Sequence, residues 1–133
     1  MTKLILLLTL ILTVSGFAQT TDHAIPAYSI NEKLIGLSNL TVGLSECPIR
    51  SVMGRVRDFD TEGKTVTVKL KVDKKTTAIA IIPLDRVADE DRRPLFRHLI
   101  TKNNTIRVSG YSCSQDEPFS AFSVDRVYTP TSP

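Results

Sequence analysis

Strict alternation of apolar and polar residues marks the clearest strand in the chain. Over residues 65–72, Val66, Val68, Leu70 and Val72 alternate with threonine and lysine. Since successive side chains of a strand point to opposite faces, this pattern predicts a strand with one face in a core and the other in water.

Four further segments carry strand patterns. Residues 49–59 contain Gly54, which predicts a bulge, and the sequence DTEG at 60–63 is typical of a hairpin turn into the strong strand. The run TTAIAII at 76–82 is apolar at nearly every position, as in a strand covered on both faces. The remaining two alternating runs are residues 105–113 and 119–128.

Two segments change to helical spacing. Residues 84–102 place an apolar stripe behind three acidic residues, and negative charge favours a helix N-terminus. Pro94 is expected in the first turn of the longer helical part of this segment, where a residue without a backbone N–H breaks no helical hydrogen bond. Nearer the N-terminus, Ser29 and Glu32 have capping-box spacing at the start of an apolar stripe, which predicts a short helix over residues 30–38.

The first residues have the pattern of a cleavable signal peptide. Lys3 supplies a positive charge, residues 4–14 are uncharged and apolar, and Gly16 and Ala18 are the small residues that a signal peptidase requires. The apolar run falls well short of the roughly 20 residues that span a bilayer, so a membrane anchor is disfavoured. We therefore expect cleavage after Ala18 and a periplasmic or secreted product.

The remainder is long enough for one domain with a modest core. We expect an N-terminal arm or linker over residues 19–45, a β domain over 46–129 and a disordered tail over 130–133. The formal net charge is +3 at pH 7 with both signs interspersed, which by itself favours no class of partner.

Cys47 and Cys113 are the two cysteines of the chain. An exported protein meets oxidising conditions, so a disulfide between them is the expected state, and a reactive or metal-binding pair is the alternative. Closing a loop of nearly 70 residues should stabilise the fold by about 4 kcal/mol in the chain-entropy model.

The order of these elements after the arm is three strands, a helix and two strands. It resembles the OB-fold, a small five-stranded Greek-key barrel with one helix between strands 3 and 4. The features behind the resemblance, which covers residues 47–128, are Gly54 in the first strand, IRVSGY at 106–111 and FSVDRVY at 122–128. The resemblance implies that the first and fourth strands pair antiparallel, which would bring Cys47 beside Cys113.

No catalytic constellation stands out. His23 and His98 lie in no ligand or triad spacing, and we expect a protein that is not an enzyme and holds no cofactor. Residues 58–63 resemble the first half of a calcium loop, but the closing acid of such a loop falls at Lys69. A solvated acidic hairpin is therefore the favoured interpretation.

The candidate ligand-binding residues are basic. Two lie on the first strand, two on the second and two in the next turn, and they are Arg55, Arg57, Lys69, Lys71, Lys74 and Lys75. A solubilising surface of mixed charge is the simpler interpretation of the same residues. Strands two and three carry no aromatic side chain for base stacking, which disfavours nucleic acid, whereas an acidic glycan or a lipid headgroup needs no stacking.

We therefore expect an exported binding module that engages a polyanion or a protein partner. The alternative is an accessory or structural subunit of an envelope or secreted assembly, paired to its partner through a strand edge or through residues 19–45. Asn39 and Asn103 begin glycosylation sequons, which matter only in a glycosylating secretory pathway.

Overall fold

The structure is a computed structural model that describes residues 23–41, 45–114 and 117–128. The predicted signal peptide, residues 1–18, and the predicted tail, residues 130–133, lie outside the described residues.

The described part of the chain is mainly β, as predicted. Its strands belong to one sheet and are β1 Ile25–Tyr28, β2 Leu34–Ser38, β3 Ile49–Glu62, β4 Thr65–Lys71, β5 Thr77–Pro83, β6 Thr105–Tyr111 and β7 Phe119–Arg126. The last five correspond to the five strands predicted from residue 49 onward. β1 and β2 were not predicted.

Strand pairing closes five of the strands into a ring. β3 pairs antiparallel with both β4 and β6, β4 pairs with β5, and β6 pairs with β7. A short parallel pairing of Ala80 and Ile81 with Phe119 and Ser120 joins β5 to β7 and completes the ring. The β1–β2 hairpin extends the sheet from β7 through β2, which leaves β1 at the edge.

The predicted helix over residues 30–38 is wrong. Glu32 has a φ of 61°, a left-handed conformation that an α-helix cannot contain, and it sits in the turn between β1 and β2. The Ser29 hydroxyl accepts the backbone N–H of Lys33 at 3.2 Å and so closes this turn instead of capping a helix. The apolar stripe is the buried part of β2, which includes Leu34 and Leu37.

The helical region lies within residues 84–102, as predicted from their spacing. It consists of α1 (Asp89–Pro94) followed by a π-helical segment (Leu95–Leu99), in which the Ile100 N–H donates to the Leu95 carbonyl at 2.7 Å. Pro94 is the last residue of α1 and does not lie in its first turn. Proline has no backbone N–H, so it interrupts the hydrogen-bond ladder of the α-helix, and the π-helical segment begins after it. The helical region follows β5 and not the third strand of the chain, since β1 and β2 precede the predicted strands.

The bulge predicted at Gly54 lies elsewhere. The first half of β3 pairs with β6 in unbroken register, and the register against β4 shifts between Val56 and Asp58. Gly54 is needed for a close approach, because a Cβ atom there would lie 2.9 Å from the Lys71 carbonyl oxygen. The prediction that β5 is covered on both faces is also wrong, since Ile79 on its outer face is 37% exposed.

The core fills the inside of the ring and continues under the hairpin. Away from the start of β3 and β5, the inward residues of β3 to β7 are fully or almost fully buried, and they include Val56, Val66, Val68, Leu70, Ala80, Ile82, Ile106, Val108, Ala121 and Val124. Leu34, Leu37 and Leu40 belong to the same cluster. The segment expected as an arm or linker thus supplies core residues through β2 and the turn after it.

The two ends of the ring differ. We call the end where β3 finishes the closed end: there Leu95, Leu99 and Ile100 are fully buried, and the Phe96 ring lies 5.4 Å from the Phe59 ring. We call the end where β3 begins the open end.

A disulfide joins Cys47 and Cys113 at the open end, as predicted, with a Cα–Cα distance of 4.6 Å. It ties the chain just before β3 to the chain just after β6. The Ser112 N–H donates to the Pro48 carbonyl at 3.1 Å between the cysteines and the strands, so pairing continues almost to the disulfide.

Candidate functional site

The strongest candidate site is a set of basic side chains on the outside of β3 and β4. Arg55 and Lys71 are register partners, so their side chains leave the same face of the sheet next to each other. Both are exposed, and together with Lys74 they line a depression of about 520 Å³. Here the sequence-predicted residues do come together.

The bulge in β3 places the next pair in a different depression. Asp58 is the register partner of Lys69, and Arg57 is the extra residue that the bulge leaves without a partner on β4. Arg57, Asp58 and Lys69 line a depression of about 650 Å³ together with Lys102. Of the four cations predicted on one shared face, two thus line each depression.

Sequence reasoning missed Lys102. This residue follows the helical region, and the Asn103 N–H donates to the Val56 carbonyl at 2.8 Å, which brings the loop back against β3. This hydrogen bond joins residues that are far apart in the chain, so no local sequence pattern predicts it. Asn103, at the start of the second sequon, takes a φ of 77° in this turn.

The turn between β4 and β5 presents the last two predicted cations. The Asp73 Oδ1 atom accepts the backbone N–H groups of Lys75 and Thr76, both at 2.8 Å. These hydrogen bonds, the one from Lys75 first, lower the pKa of the Asp73 carboxyl. The carboxylate therefore fixes the turn, with Lys74 on the Arg55 side and Lys75 in a third depression at the open end.

The three depressions are contiguous. The depression at the open end shares Val72 with that of Arg55 and shares Thr77 and Ile79 with that of Arg57. We use the name cationic face for the surface formed by Arg55, Arg57, Lys69, Lys71, Lys74, Lys75 and Lys102. Apolar side chains line the same depressions as these cations. They are Met53, Val72 and Ile79, which are 49%, 38% and 37% exposed.

The cations of this face have no acidic partner within the part of the chain that the structure describes. The salt bridges in that part of the chain join Asp89 to Arg92 and Arg107 to Asp125, and neither pair lies on the cationic face. Asp58 and Asp73 are the acids in the Arg57 and Arg55 depressions, and Asp73 already accepts two backbone hydrogen bonds. The face can therefore accept an anionic ligand without first breaking an ion pair.

Aromatic side chains offer little for base stacking on this face. Phe59 lines the Arg57 depression, but its ring already stacks on Phe96 and is half-buried. Tyr111 and Phe122 form an edge-to-face pair at 5.5 Å and line none of the three depressions.

The acidic and histidine residues singled out in the sequence lie apart from one another in the described structure. Over residues 23–41, 45–114 and 117–128, no group of three or more His, Cys, Asp or Glu is arranged to hold a metal ion. The segment that resembles a calcium loop is the end of β3 and its turn, with Asp60 opposite Thr67. The backbone carbonyl of His98 accepts hydrogen bonds from Asn104 and Arg126, a structural role for this residue.

Comparison of the chain with protein-family models, with curated proteins and with solved structures found no match. Among the described residues, the structure has no helix of the length and hydropathy needed to cross a bilayer.

Proposed function

We propose that the protein is an exported, non-enzymatic binding module that holds a polyanion on its cationic face. The observation that carries the proposal is the grouping of seven basic side chains around contiguous depressions with no ion-pair partners in the described chain. Unpaired cations repel one another, and a ligand with several negative charges relieves that repulsion at many points at once.

An OB-like barrel is the architecture that we propose for the ring. Its pairings follow the order β3, β4, β5, β7, β6 and back to β3, with the helical region between β5 and β6. Counted from β3, this order and the place of the helical region support a five-stranded Greek-key barrel, a fold whose second and third strands form a binding face. In this protein those strands are β4 and β5, which carry Lys69, Lys71 and Ile79.

Export is supported by the signal-like N-terminus and by the disulfide. A disulfide persists in oxidising compartments and is rare in the cytosol. The polyanion that we propose is an acidic glycan or a similar polymer, because it needs charge and not base stacking. Of the rings that line the depressions, Phe59 stacks on Phe96, and Phe119 is half-buried against the core.

Salt dependence and charge reversal test the proposal. We would measure binding of fluorescent heparin, a sulfated polysaccharide probe, by anisotropy at increasing NaCl. Affinity should fall steeply with salt, since bound cations release counterions and added salt screens the attraction. The variant Lys69→Glu/Lys71→Glu should bind about tenfold more weakly or worse at low salt, a loss of about 1.4 kcal/mol.

Arg93→Glu/Arg97→Glu is the matched control. It makes the same change in net charge at two exposed positions of the helical region, away from the cationic face. It should keep most of the heparin affinity. Unchanged binding by the Lys69→Glu/Lys71→Glu variant, or equal losses in both variants, would contradict the proposal.

A second candidate function, an accessory subunit that pairs with a partner chain, is favoured by the edge strand. Ile25 and Tyr28 on β1 are 50% and 45% exposed, and Ile30 in the following turn is fully exposed. Deleting residues 19–45 would remove core leucines, so the sharper test is Ile25→Asp/Ile30→Asp. Loss of co-purification with a partner, with the same melting temperature and heparin affinity, would support this function.

A further inference from the structure

The depression at the open end of the ring, which adjoins the cationic face, is an open cavity lined by exposed and half-buried side chains. Its volume is about 620 Å³, inside the range of roughly 300–1,000 Å³ that small-molecule sites occupy. Its apolar lining comes from four strands or their connections and consists of Val52, Val72, Ala78, Ile79, Pro118 and Phe119.

A small side chain on the inner face helps to keep this end open, because Ala78, the first inward residue of β5, lines the cavity. Gly110, buried near the end of β6, does not add to this space, since the Ser120 backbone of β7 lies where its Cβ atom would be. Small barrels are otherwise filled by their inward side chains, as the closed end is here.

Arg50 is the unusual residue of this cavity. The inward series of β3 reads Arg50, Val52, Gly54 and Val56, so the guanidinium group starts from the core face of the strand. Arg50 is half-buried, and in the described part of the chain its side chain has neither a hydrogen bond nor a salt bridge. A guanidinium that has lost part of its water and forms no ion pair favours a carboxylate ligand.

Lys75 and Glu117 are the other charged residues of the cavity. The Asp73 turn fixes the backbone of Lys75, and the disulfide begins three residues before Arg50. Arg50 and Lys75 therefore both lie on backbone segments whose movement is restricted. A preorganised rim loses little conformational entropy when a ligand binds.

We propose that this cavity binds a single-chain amphipathic anion, namely a medium-chain carboxylate. Its hydrocarbon chain lies along Val52, Ala78 and Phe119, and its carboxylate lies at the rim against Arg50 and Lys75. This ligand differs in class from the polymer assigned to the cationic face, and the proposal does not depend on that assignment.

Calorimetric titration of the disulfide-bonded protein with decanoate and with 1-decanol tests the proposal. Decanoate should bind more tightly than decanol, and burial of its chain should give a negative heat-capacity change. Arg50→Gln should weaken decanoate about tenfold or more, the usual loss for one charge-assisted contact, and should leave decanol unchanged. Arg50→Lys should retain most of the affinity for decanoate.

Ala78→Leu tests the cavity itself, because the added side chain occupies its space. It should weaken both decanoate and decanol about tenfold or more, while heparin binding and the melting temperature stay close to those of the wild type. Lys69→Glu/Lys71→Glu should do the reverse, losing heparin and keeping decanoate. No heat of binding for decanoate in the wild type, or a decanoate affinity equal to that of the wild type in Ala78→Leu or in Arg50→Gln, would overturn the proposal.

Discussion

The closed and open ends of the ring are held together in different ways. At the closed end, large side chains such as Leu99 and Ile100 fill the interior completely. At the open end, the small side chain of Ala78 leaves space, and a disulfide and a turn fixed by Asp73 hold the strands instead. Where a fold must keep an accessible cavity, covalent and local hydrogen bonds replace the burial that a full core provides.

Removing the disulfide should produce the largest effect and would test how the open end is held. Cys47→Ser/Cys113→Ser should lower the free energy of unfolding by about 4 kcal/mol, because the cross-link restrains a long loop in the unfolded chain. Urea denaturation measures this loss, and wild-type protein reduced with dithiothreitol serves as the control. A loss below about 1 kcal/mol would mean that packing and not the disulfide holds this end.

Paired truncations compare the two ends directly. Leu99→Ala at the closed end should cost about 3 kcal/mol, because the side chain is fully buried and its removal leaves a void. Val52→Ala at the open end should cost about 1 kcal/mol, since that half-buried side chain already borders the cavity. Equal losses in urea denaturation would remove the distinction between the ends.

The smallest effect concerns the hydrogen bond that fastens β1 to the closed end. The Tyr28 hydroxyl donates to the buried Asp91 carboxylate of α1, and this hydrogen bond is the main reason that the pKa of Tyr28 is raised to about 12. Tyr28→Phe should lower the free energy of unfolding at neutral pH by about 1 kcal/mol or less.

The pH dependence of that bond has a definite sign. Because the folded protein favours the protonated hydroxyl, the stabilisation is complete below the ordinary pKa of 10.0 and is lost as pH rises toward 12. Absorbance near 295 nm should show a tyrosine that ionises near pH 12 in the wild type and is missing in Tyr28→Phe. If Tyr28→Phe instead removes an ionisation near the ordinary pKa of 10.0, Tyr28 does not contact Asp91 in solution.

The five strands of the ring and the disulfide could be predicted because their signals are local. Alternation in residues 65–72 identifies β4, and a chain with two cysteines has one possible intramolecular pairing. The β1–β2 hairpin was missed because the apolar spacing of residues 30–38 suits either a helix or a short strand, and the left-handed Glu32 leaves no sequence signature.

The candidate sites were predictable to a smaller extent. The six basic residues do line depressions of one surface, but the bulge at Arg57 and the return of Lys102 depend on long-range pairing. The position of Arg50 could have been predicted from the sequence. Arg50 continues the inward alternation of Val52, Gly54 and Val56, and a charged residue on the core side of a strand suggests a ligand-binding site.

The proline in the edge strand limits how this protein associates with itself. Pro26 lies in β1, at the edge of the sheet, and its nitrogen has no hydrogen to donate. A strand that approaches this edge finds no donor at Pro26. Edge-to-edge addition of further copies of the sheet into aggregates or fibrils is therefore disfavoured at that position.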